Sequence, residues 1–305
     1  MQINSGEIIK KIRNDLGLSQ EEMATRLFID QKRISRIEKG VVKADIWQLM
    51  QMLELLGYPS EDFWLLYLDS EEYRGYRTYR LLKRQLWEND FKNAEITLNE
   101  IKKSPLARQS LINQFLEVAE VKLYTSISEK DAIKRLYDAI CLSIPHFDEL
   151  MISEYRLTHN EIYILIEIAG CLSRMGEKER AINIAQSIVE SRENSRTSEE
   201  DRAKLYPAVM FNLSNYLGQS GRTKEALKVC SSAIEICREN SNLKPVPHLL
   251  LNIASCYHIL GEQEHVYKTY LIRAYHAAYA YGDYELGQRI KKYAEEDFGI
   301  SITDI

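Results

Sequence analysis

The sequence predicts an all-α protein in which a small N-terminal domain precedes a larger array of helical hairpins. Apolar residues recur at spacings of three and four along nearly the whole chain, which is the period of an amphipathic helix. Only 13 Gly and 6 Pro interrupt the 305 residues, which favours helices over strands and turns. Paired helical segments also repeat through the second part of the chain. We therefore expect two domains, over residues 1–70 and 71–305.

Short helices with cap residues are predicted in the N-terminal domain. Ser19 and Asp30 precede apolar helical patterns and are suited to be N-caps, and Asp45 opens a fourth helix in the same way. Ser60 is placed to cap a fifth helix, a linker over residues 60–70. Four short helices and this linker give a five-helix domain.

One segment of this domain, residues 16–40, has the sequence LGLSQEEMATRLFIDQKRISRIEKG. Ala24 is the small residue needed where two helices nearly touch, Ile29 fills the turn, and Ile34 and Ile37 pack the following helix inward. The segment resembles the helix-turn-helix of the Cro and phage-repressor family. This resemblance implies a partner, double-stranded DNA, whose major groove receives the second helix of the motif.

The outer face of that second helix carries the residues that we expect to contact DNA bases. With Ile34 and Ile37 assigned to the core, helical periodicity places four residues on this face: Gln31, Lys32, Ser35 and Arg36. Gln can pair with adenine through two hydrogen bonds, and Arg or Lys can pair with guanine. The whole chain has a net charge of −5, so a DNA-binding surface must be a local patch.

Residues beside this face are expected to hold DNA phosphates: Gln20, Arg33, Lys39 and Lys43. In the Cro and phage-repressor family, an arginine ending the first helix pairs with a glutamate late in the recognition helix. Those positions hold Arg13 and Glu38 here, and the resemblance implies a structural ion pair. The alternative is a repressor-like fold that contacts protein, which is favoured by the near balance of nine Lys or Arg against eight Asp or Glu in residues 1–58.

An internal repeat follows the N-terminal domain. Five units align on a turn followed by a small residue, with steps of 38, 49, 45 and 40 residues between Ala94, Ala132, Ala181, Ala226 and Val266. Each unit has an apolar helix on both sides of the turn, as tetratricopeptide repeats do, although those repeat every 34 residues or so. We expect a right-handed superhelix of about five such hairpins, with residues 284–298 as a C-terminal capping helix.

The concave groove of such a superhelix typically binds an extended peptide. Asn212 and Asn252 lie nine residues before the turn glycines of their units, and an amide can bond both the N–H and the C=O of a peptide. The same alignment places further residues towards the groove: Tyr163, Glu167, Arg174, Asn215, Gln219, His248 and Leu251. Arg174 is suited to a peptide carboxylate. The alternatives are hydrogen bonds between adjacent hairpins for the asparagines and a solvated charge for Arg174.

Catalysis is not expected, because the sequence lacks a phosphate-binding loop, a GxSxG motif and an HExxH motif. The six histidines show no metal-ligand spacing, so we expect neither a metal nor another cofactor. Five cysteines without a CxxC pair are expected to be reduced core residues. No apolar stretch is long enough for a membrane span or a signal peptide, which predicts a cytoplasmic protein with no membrane partner.

A helix-turn-helix followed by tetratricopeptide-like hairpins is similar to the peptide-pheromone-responsive transcription regulators of Gram-positive bacteria, the group that includes the PlcR, NprR, PrgX and Rgg proteins. This resemblance implies a quorum-sensing regulator: a homodimer that binds a two-fold DNA operator, with a short signalling peptide in the groove controlling its activity. Two other functions stay open. One is a scaffold or adaptor whose repeats bind a protein partner, and the other is a phage-type repressor whose repeats only dimerise it.

Overall fold

A computed structural model describes residues 5–57, 70–124, 126–191 and 199–303. The regular secondary structure of these ranges is entirely helical, with no strand, so the predicted all-α class is confirmed. None of their helices combines the length and the apolarity that a membrane span requires. The chain divides into two compact units, Met1–Ala107 and Arg108–Ile305. The domain boundary near residue 70 stays a prediction.

The N-terminal unit begins with four short helices, α1 (Ser5–Asp15), α2 (Gln20–Leu27), α3 (Gln31–Glu38) and α4 (Ile46–Leu55). The three predicted N-caps form, because the side chains of Ser19, Asp30 and Asp45 each accept a hydrogen bond from a backbone N–H of the following helix. Apolar residues of all four helices share one core: Ile9, Met23, Ile34, Ile37, Met52 and Leu53. Residues 58–69, where the linker helix is predicted, lie outside the described ranges.

Helices α1 and α3 cross with backbone against backbone at Gly6. A Cβ atom added to Gly6 would lie 1.9 Å from the carbonyl oxygen of Ile37, far inside van der Waals contact. Glycine is therefore required at this crossing, since any side chain would force the two helices apart.

Five helical hairpins follow, at the predicted places. Their helices are α5 (Ser70–Trp87) and α6 (Phe91–Lys103), α7 (Ser110–Leu123) and α8 (Glu129–Cys141), α9 (His159–Arg174) and α10 (Lys178–Glu190), α11 (Glu199–Gln219) and α12 (Thr223–Glu239), and α13 (Val246–Ile259) and α14 (Glu264–Ala280). Helix α15 (Tyr284–Phe298) ends the array over the range predicted for the capping helix. Gly176, Gly221 and Gly261 adopt left-handed φ angles of 86°, 76° and 75° in the turns of three hairpins, where a side chain would add strain.

Apolar clusters join successive hairpins of the second unit. Met210, Cys230, Cys237 and Ile253 belong to a cluster shared by α11, α12 and α13. Burial raises the pKa of Cys230 and of Cys237 to about 11, so both thiols stay protonated at neutral pH. Four of the five cysteines are buried, as expected, but Cys141 is exposed. That expectation was wrong because the buried stripe of α8 runs through Leu136 and Ile140, and the next position turns away from it.

Helix α11 contains Pro207, which has no backbone N–H to offer the carbonyl of Ala203 one turn earlier. The side-chain amide of Asn242, from the connection between α12 and α13, donates to that Ala203 carbonyl at 3.0 Å. The hydrogen bond that the helix loses at Pro207 is therefore replaced by one from Asn242, which lies 39 positions after Ala203 in the chain. This contact ties the loop after α12 to the beginning of α11, the first helix of the same hairpin.

Candidate DNA-binding face and candidate peptide groove

Helices α2 and α3 and the three residues between them form the helix-turn-helix. Ala24 is buried and Ile29 packs against the N-terminal core, as the sequence predicts. The turn is held by the backbone N–H of Ile29, which donates to the carbonyl of Ala24 at 3.0 Å. Phe28 in this turn has a left-handed φ of 54° and is 97% exposed, so its ring contributes nothing to the core.

Helix α3 has one buried face and one exposed face. Ile34 and Ile37 are buried in the N-terminal core. On the opposite side Gln31, Lys32 and Arg36 are exposed, and Ser35 is half-buried. The three exposed side chains make no hydrogen bond or ion pair within the described residues. The four residues expected to contact bases thus share one face, and its long side chains are available to an outside partner.

Some of the residues expected to hold phosphates already make hydrogen bonds to other side chains, and some do not. Lys39 and Lys43 are exposed. The guanidinium of Arg33 donates to the side-chain carbonyl of Gln48 at 2.9 Å, which fixes its direction beside α3. The amide nitrogen of Gln20 donates to a carboxylate oxygen of Glu38 at 2.7 Å, so this side chain is oriented at the start of α2.

Arg13 and Glu38 lie together beneath this face. The guanidinium donates to the two carboxylate oxygens at 2.6 and 2.9 Å, and it also donates to the carbonyl of Leu18 at 2.6 Å. Both side chains are almost fully buried, and the hydrogen bonds to Glu38 raise the pKa of Arg13. With Gln20, this pair links α1, α2 and the end of α3 through a single carboxylate.

In the second unit, the residues expected in a peptide groove lie on the first helices of successive hairpins. We call the side of α9, α11 and α13 that carries Glu167, Asn215 and Asn252 the first-helix face. Helix α9 contacts α11, and α11 contacts α13, so the face is continuous across three hairpins.

On α9, the candidate residues already contact other side chains of the unit. Arg174 donates to both carboxylate oxygens of Glu129, at 2.6 and 3.0 Å, and this lowers the pKa of that carboxyl. Glu167 lies 3.6 Å from the ammonium of Lys122. Tyr163 is buried, and its ring stacks on that of His159 with 5.3 Å between the centroids. The charges on this part of the face are therefore paired within the protein.

Asn215 of α11 and Asn252 of α13 join two hairpins through a hydrogen bond. The side-chain amide of Asn252 donates to Asn215 at 2.7 Å and to the hydroxyl of Ser214 at 2.8 Å. This is the structural alternative that the sequence left open for Asn252. Asn212 is half-buried and lines a narrow gap with Ala169 of α9 and Ile188 of α10, and its side chain makes no hydrogen bond among the described residues.

The remaining candidates lie near the ends of these helices. Gln219 is exposed, and its backbone carbonyl accepts a hydrogen bond from Lys178 at 3.1 Å. His248 is half-buried with its ring edge-to-face against Phe211, and burial lowers its pKa. Leu251 packs against the C-terminal apolar cluster of α13, α14 and α15.

Sequence reasoning did not identify the partners of these residues. Lys122 lies 45 positions before its partner Glu167, and Glu129 lies 45 positions before its partner Arg174. The repeat alignment assigned no role to Lys122 or Glu129. One signal was present: each pair joins opposite charges at the same separation, 45 residues, in neighbouring hairpins. A search for opposite charges at one common separation would have found both pairs, whereas the repeat step of 49 residues between these two hairpins, from Ala132 to Ala181, would have missed them.

Comparison with known sequences supports the N-terminal assignment. Residues 9–63 match a family model described as helix-turn-helix, which covers α2, α3 and α4 completely. The predicted helix-turn-helix domain is thus confirmed. Among curated protein sequences, none is significantly similar to this chain.

Comparison with solved structures covers nearly the whole chain. Bacillus thuringiensis PlcR in complex with the peptide PapR7 and DNA superposes with a TM-score of 0.71 at 21% identity, over 94% of this chain and 99% of that one. ComR from S. thermophilus, in complex with DNA and its signalling peptide ComS, gives 0.61 at 16% identity, over 97% and 100%. The Streptococcus dysgalactiae SHP pheromone receptor Rgg2 gives 0.57 at 14% identity, over 96% and 99%. The predicted resemblance is confirmed as a shared fold.

Proposed function

We propose that this chain is a transcription regulator of the quorum-sensing type. Two copies bind a two-fold DNA operator through their α3 helices, and a short signalling peptide on the first-helix face controls that binding. The regulator would act in the cytoplasm, on double-stranded DNA. The observation that carries the proposal is the outer face of α3, where Gln31, Lys32 and Arg36 are exposed and make no bond among the described residues, above a buried Ile34 and Ile37.

The DNA half of the proposal follows from what this face can bond. Arg36 and Lys32 are suited to the guanine edge and Gln31 to the adenine edge in the major groove. Lys39 and Lys43 add positive charge for phosphates without sequence preference. Residues 1–58 are nearly balanced in charge, so a single copy should bind DNA weakly. A homodimer on a two-fold site doubles the contacts, which is why we include dimerisation in the proposal.

The peptide half is supported by the amide of Asn212, which makes no hydrogen bond among the described residues, and by similarity in fold to proteins solved with signalling peptides. Asn212 supplies a donor and an acceptor for a peptide backbone. A peptide carboxylate would exchange with Glu129 for Arg174, and a peptide ammonium would exchange with Lys122 for Glu167. Control of DNA binding then requires that the peptide bind one arrangement of the unit more tightly than another.

The DNA half is tested by selecting duplexes from a random library with the full-length chain and measuring their affinity by fluorescence anisotropy. Arg36→Ala should weaken binding to the selected site by about 1–3 kcal/mol and relax its preference at one base pair. Lys39→Ala should weaken binding to all sequences alike and reduce the salt dependence by about one ion. Arg26→Ala is a matched control on α2, where the arginine pairs with Glu22, and it should leave affinity unchanged.

Two results would favour the other functions. If no duplex is enriched and Arg36→Ala has no effect, the helix-turn-helix serves protein contact, and the near balance of charge in residues 1–58 supports that adaptor function. If a duplex is enriched but no short peptide from reading frames beside the gene alters its affinity, the chain is a repressor whose hairpins only join two copies.

A further inference from the structure

A notch in the first-helix face lies at Gly170, inside helix α9. Gly170 is half-buried and follows Glu167 by three positions, which places both residues on the same side of the helix. A Cβ atom added to Gly170 would lie 3.4 Å from Nη1 of Arg174 and 3.9 Å from the hydroxyl oxygen of Tyr216, both ordinary contact distances. We call the place bounded by Gly170, Arg174 and Tyr216 the Gly170 notch.

The fold itself does not require glycine at this position. Gly170 has a helical backbone without the left-handed φ of the turn glycines, and a methyl side chain would fit there. Glycine inside a helix is destabilising relative to alanine, because it loses more conformational freedom on folding. What glycine provides here is room for another backbone to approach α9 closely.

Two hydrogen-bond donors meet at the notch. The guanidinium of Arg174 bonds Glu129 through Nε and Nη2, whereas its Nη1 makes no hydrogen bond in the part of the chain that the structure describes. Tyr216 is 7% exposed, and its hydroxyl has no partner within the described ranges but is not sealed from solvent. Burial and the carboxylate of Glu167 raise the pKa of Tyr216 to about 12, so the hydroxyl stays protonated at neutral pH and can donate.

An acceptor lies beside these donors. The carboxylate of Glu167, 3.6 Å from the ammonium of Lys122, accepts no hydrogen bond from any residue that the structure describes. The charges of Glu167 and Lys122 cancel, as do those of Glu129 and Arg174, so the notch carries no net charge. It therefore favours a neutral group that can both accept and donate a hydrogen bond over an anion or a cation.

An extended peptide carries such a group at every residue. The N–H and the C=O of one residue in β conformation point to the same side, as they do in antiparallel strand pairs. The C=O can accept from Arg174 and Tyr216 while the N–H donates to Glu167. The termini of a peptide would exchange with Glu129 or Lys122, as proposed above, whereas an interior residue leaves both ion pairs in place.

We propose that the Gly170 notch binds the backbone of one interior residue of the signalling peptide, which crosses α9 where Gly170 has no side chain. The C=O of that residue accepts hydrogen bonds from Nη1 of Arg174 and from the hydroxyl of Tyr216, and its N–H donates to Glu167. This site rests on the proposed peptide function. It fixes the position of the peptide backbone on the first-helix face, and specificity for side chains must come from other positions.

The test uses heptapeptides selected from a random phage-displayed library on the immobilised full-length chain, labelled with fluorescein and titrated by anisotropy. Tyr216→Phe removes only the hydroxyl and should weaken binding about tenfold, the effect of losing one hydrogen bond to the ligand. Tyr206→Phe is the matched control on the same helix, because that hydroxyl is fully buried and its loss should leave the affinity unchanged. Equal affinities of wild type and Tyr216→Phe would overturn the proposal.

Gly170→Ala separates peptide binding from stability. The substitution should raise the Tm, because alanine favours the helix and its Cβ makes only ordinary contacts. It should nevertheless weaken the selected peptides about tenfold, because the Cβ occupies the place of the peptide backbone. A glycine with a merely structural role would not give these opposite effects. Unchanged or tighter peptide binding would overturn the proposal.

Modified peptides identify the group that enters the notch. Methylation of one interior backbone nitrogen should weaken binding to wild type about tenfold and cause little further loss in Glu167→Ala. If the loss follows only from replacing an Asn or Gln side chain of the peptide, the notch takes a side-chain amide and the backbone proposal is overturned. If no heptapeptide is selected, the peptide half of the proposed function fails as well. Peptides that bind wild type, Tyr216→Phe and Gly170→Ala equally would overturn the notch alone.

Discussion

Helix α3 and the first-helix face differ in what their polar side chains already bind. On α3, Gln31, Lys32 and Arg36 are exposed and make no bond within the described residues. On the first-helix face, Arg174 is held by Glu129 and Asn252 by Asn215. One surface presents open hydrogen-bonding groups, whereas the other has most of its groups paired internally.

This difference predicts how each surface responds to a ligand. DNA bound at α3, as proposed, would displace water and counterions, so salt concentration should control its affinity strongly. A ligand at the first-helix face must break internal pairs before it forms its own, so it gains only the difference between the two sets of bonds. Binding there is then accompanied by a change in contacts between hairpins, which is the kind of change that a switch requires.

The largest effect is expected from the ion pair beneath α3. Arg13→Met leaves the buried carboxylate of Glu38 without its partner, so it should lower the free energy of unfolding of α1–α4 by about 3–5 kcal/mol. Hydrogen exchange of amides in α1–α4 of the full-length chain measures this loss. Arg26→Met, which removes an exposed pair with Glu22, should cost no more than about 0.5 kcal/mol. Similar losses in the two variants would mean that the Arg13 pair is not desolvated.

The next effect concerns an internal polar contact away from both surfaces. Asn242→Ala should cost about 1–3 kcal/mol, because the carbonyl of Ala203 loses the donor that replaces the N–H missing at Pro207. Pro207→Ala restores that N–H, so Asn242→Ala should cost at least about 1 kcal/mol less in the Pro207→Ala background. Urea denaturation of the four proteins gives this coupling energy. Additive losses would show that the two residues act independently.

A smaller effect separates the two asparagines of the first-helix face. Asn252→Ala removes hydrogen bonds to Ser214 and Asn215 and should cost about 1 kcal/mol, whereas Asn212→Ala should stay within about 0.5 kcal/mol. Hydrogen exchange in α11 and α13 measures both. Equal stability losses would remove the distinction between a structural Asn252 and a free Asn212.

The smallest effect is expected from the exposed pair of Arg174 and Glu129. Arg174→Ala should cost no more than about 1 kcal/mol, since both side chains are more than a third exposed. Arg174 lowers the pKa of Glu129, so the pair stabilises the unit above the ordinary carboxylate pKa and loses this effect as the pH falls through the lowered value. Denaturation curves of wild type and variant should therefore converge in acid. A loss that persists in acid would require another role for Arg174.

Periodicity and turn chemistry were sufficient to predict the hairpins. The glycines that end α9, α11 and α13 mark their turns, and α15 begins and ends where the apolar pattern does. The two faces of α3 followed from assigning Ile34 and Ile37 to the core, because three or four positions along a helix return to the same side.

Contacts between elements distant in sequence were not predictable in the same way. Nothing in the sequence around Gly6 indicates that this position requires glycine. The requirement comes from the carbonyl of Ile37, which leaves no room for a side chain where α1 and α3 cross. The pairing of Arg174 with Glu129 depends on the packing of α8 against α9, which the repeat alignment does not specify. The local sequence pattern thus identified each candidate residue. Which of these side chains already have hydrogen-bond or ion-pair partners could be seen only from the packing of the helices.

The central claim is that a ligand on the first-helix face controls DNA binding by α3. Its most direct test is the anisotropy of a selected DNA duplex with the full-length chain, titrated with short peptides from reading frames beside the gene. We predict that one peptide changes the DNA affinity by about 5–150-fold and that Asn212→Ala abolishes this response while DNA affinity without peptide is unchanged. A DNA affinity that no peptide alters, or a response that Asn212→Ala leaves intact, would contradict the claim.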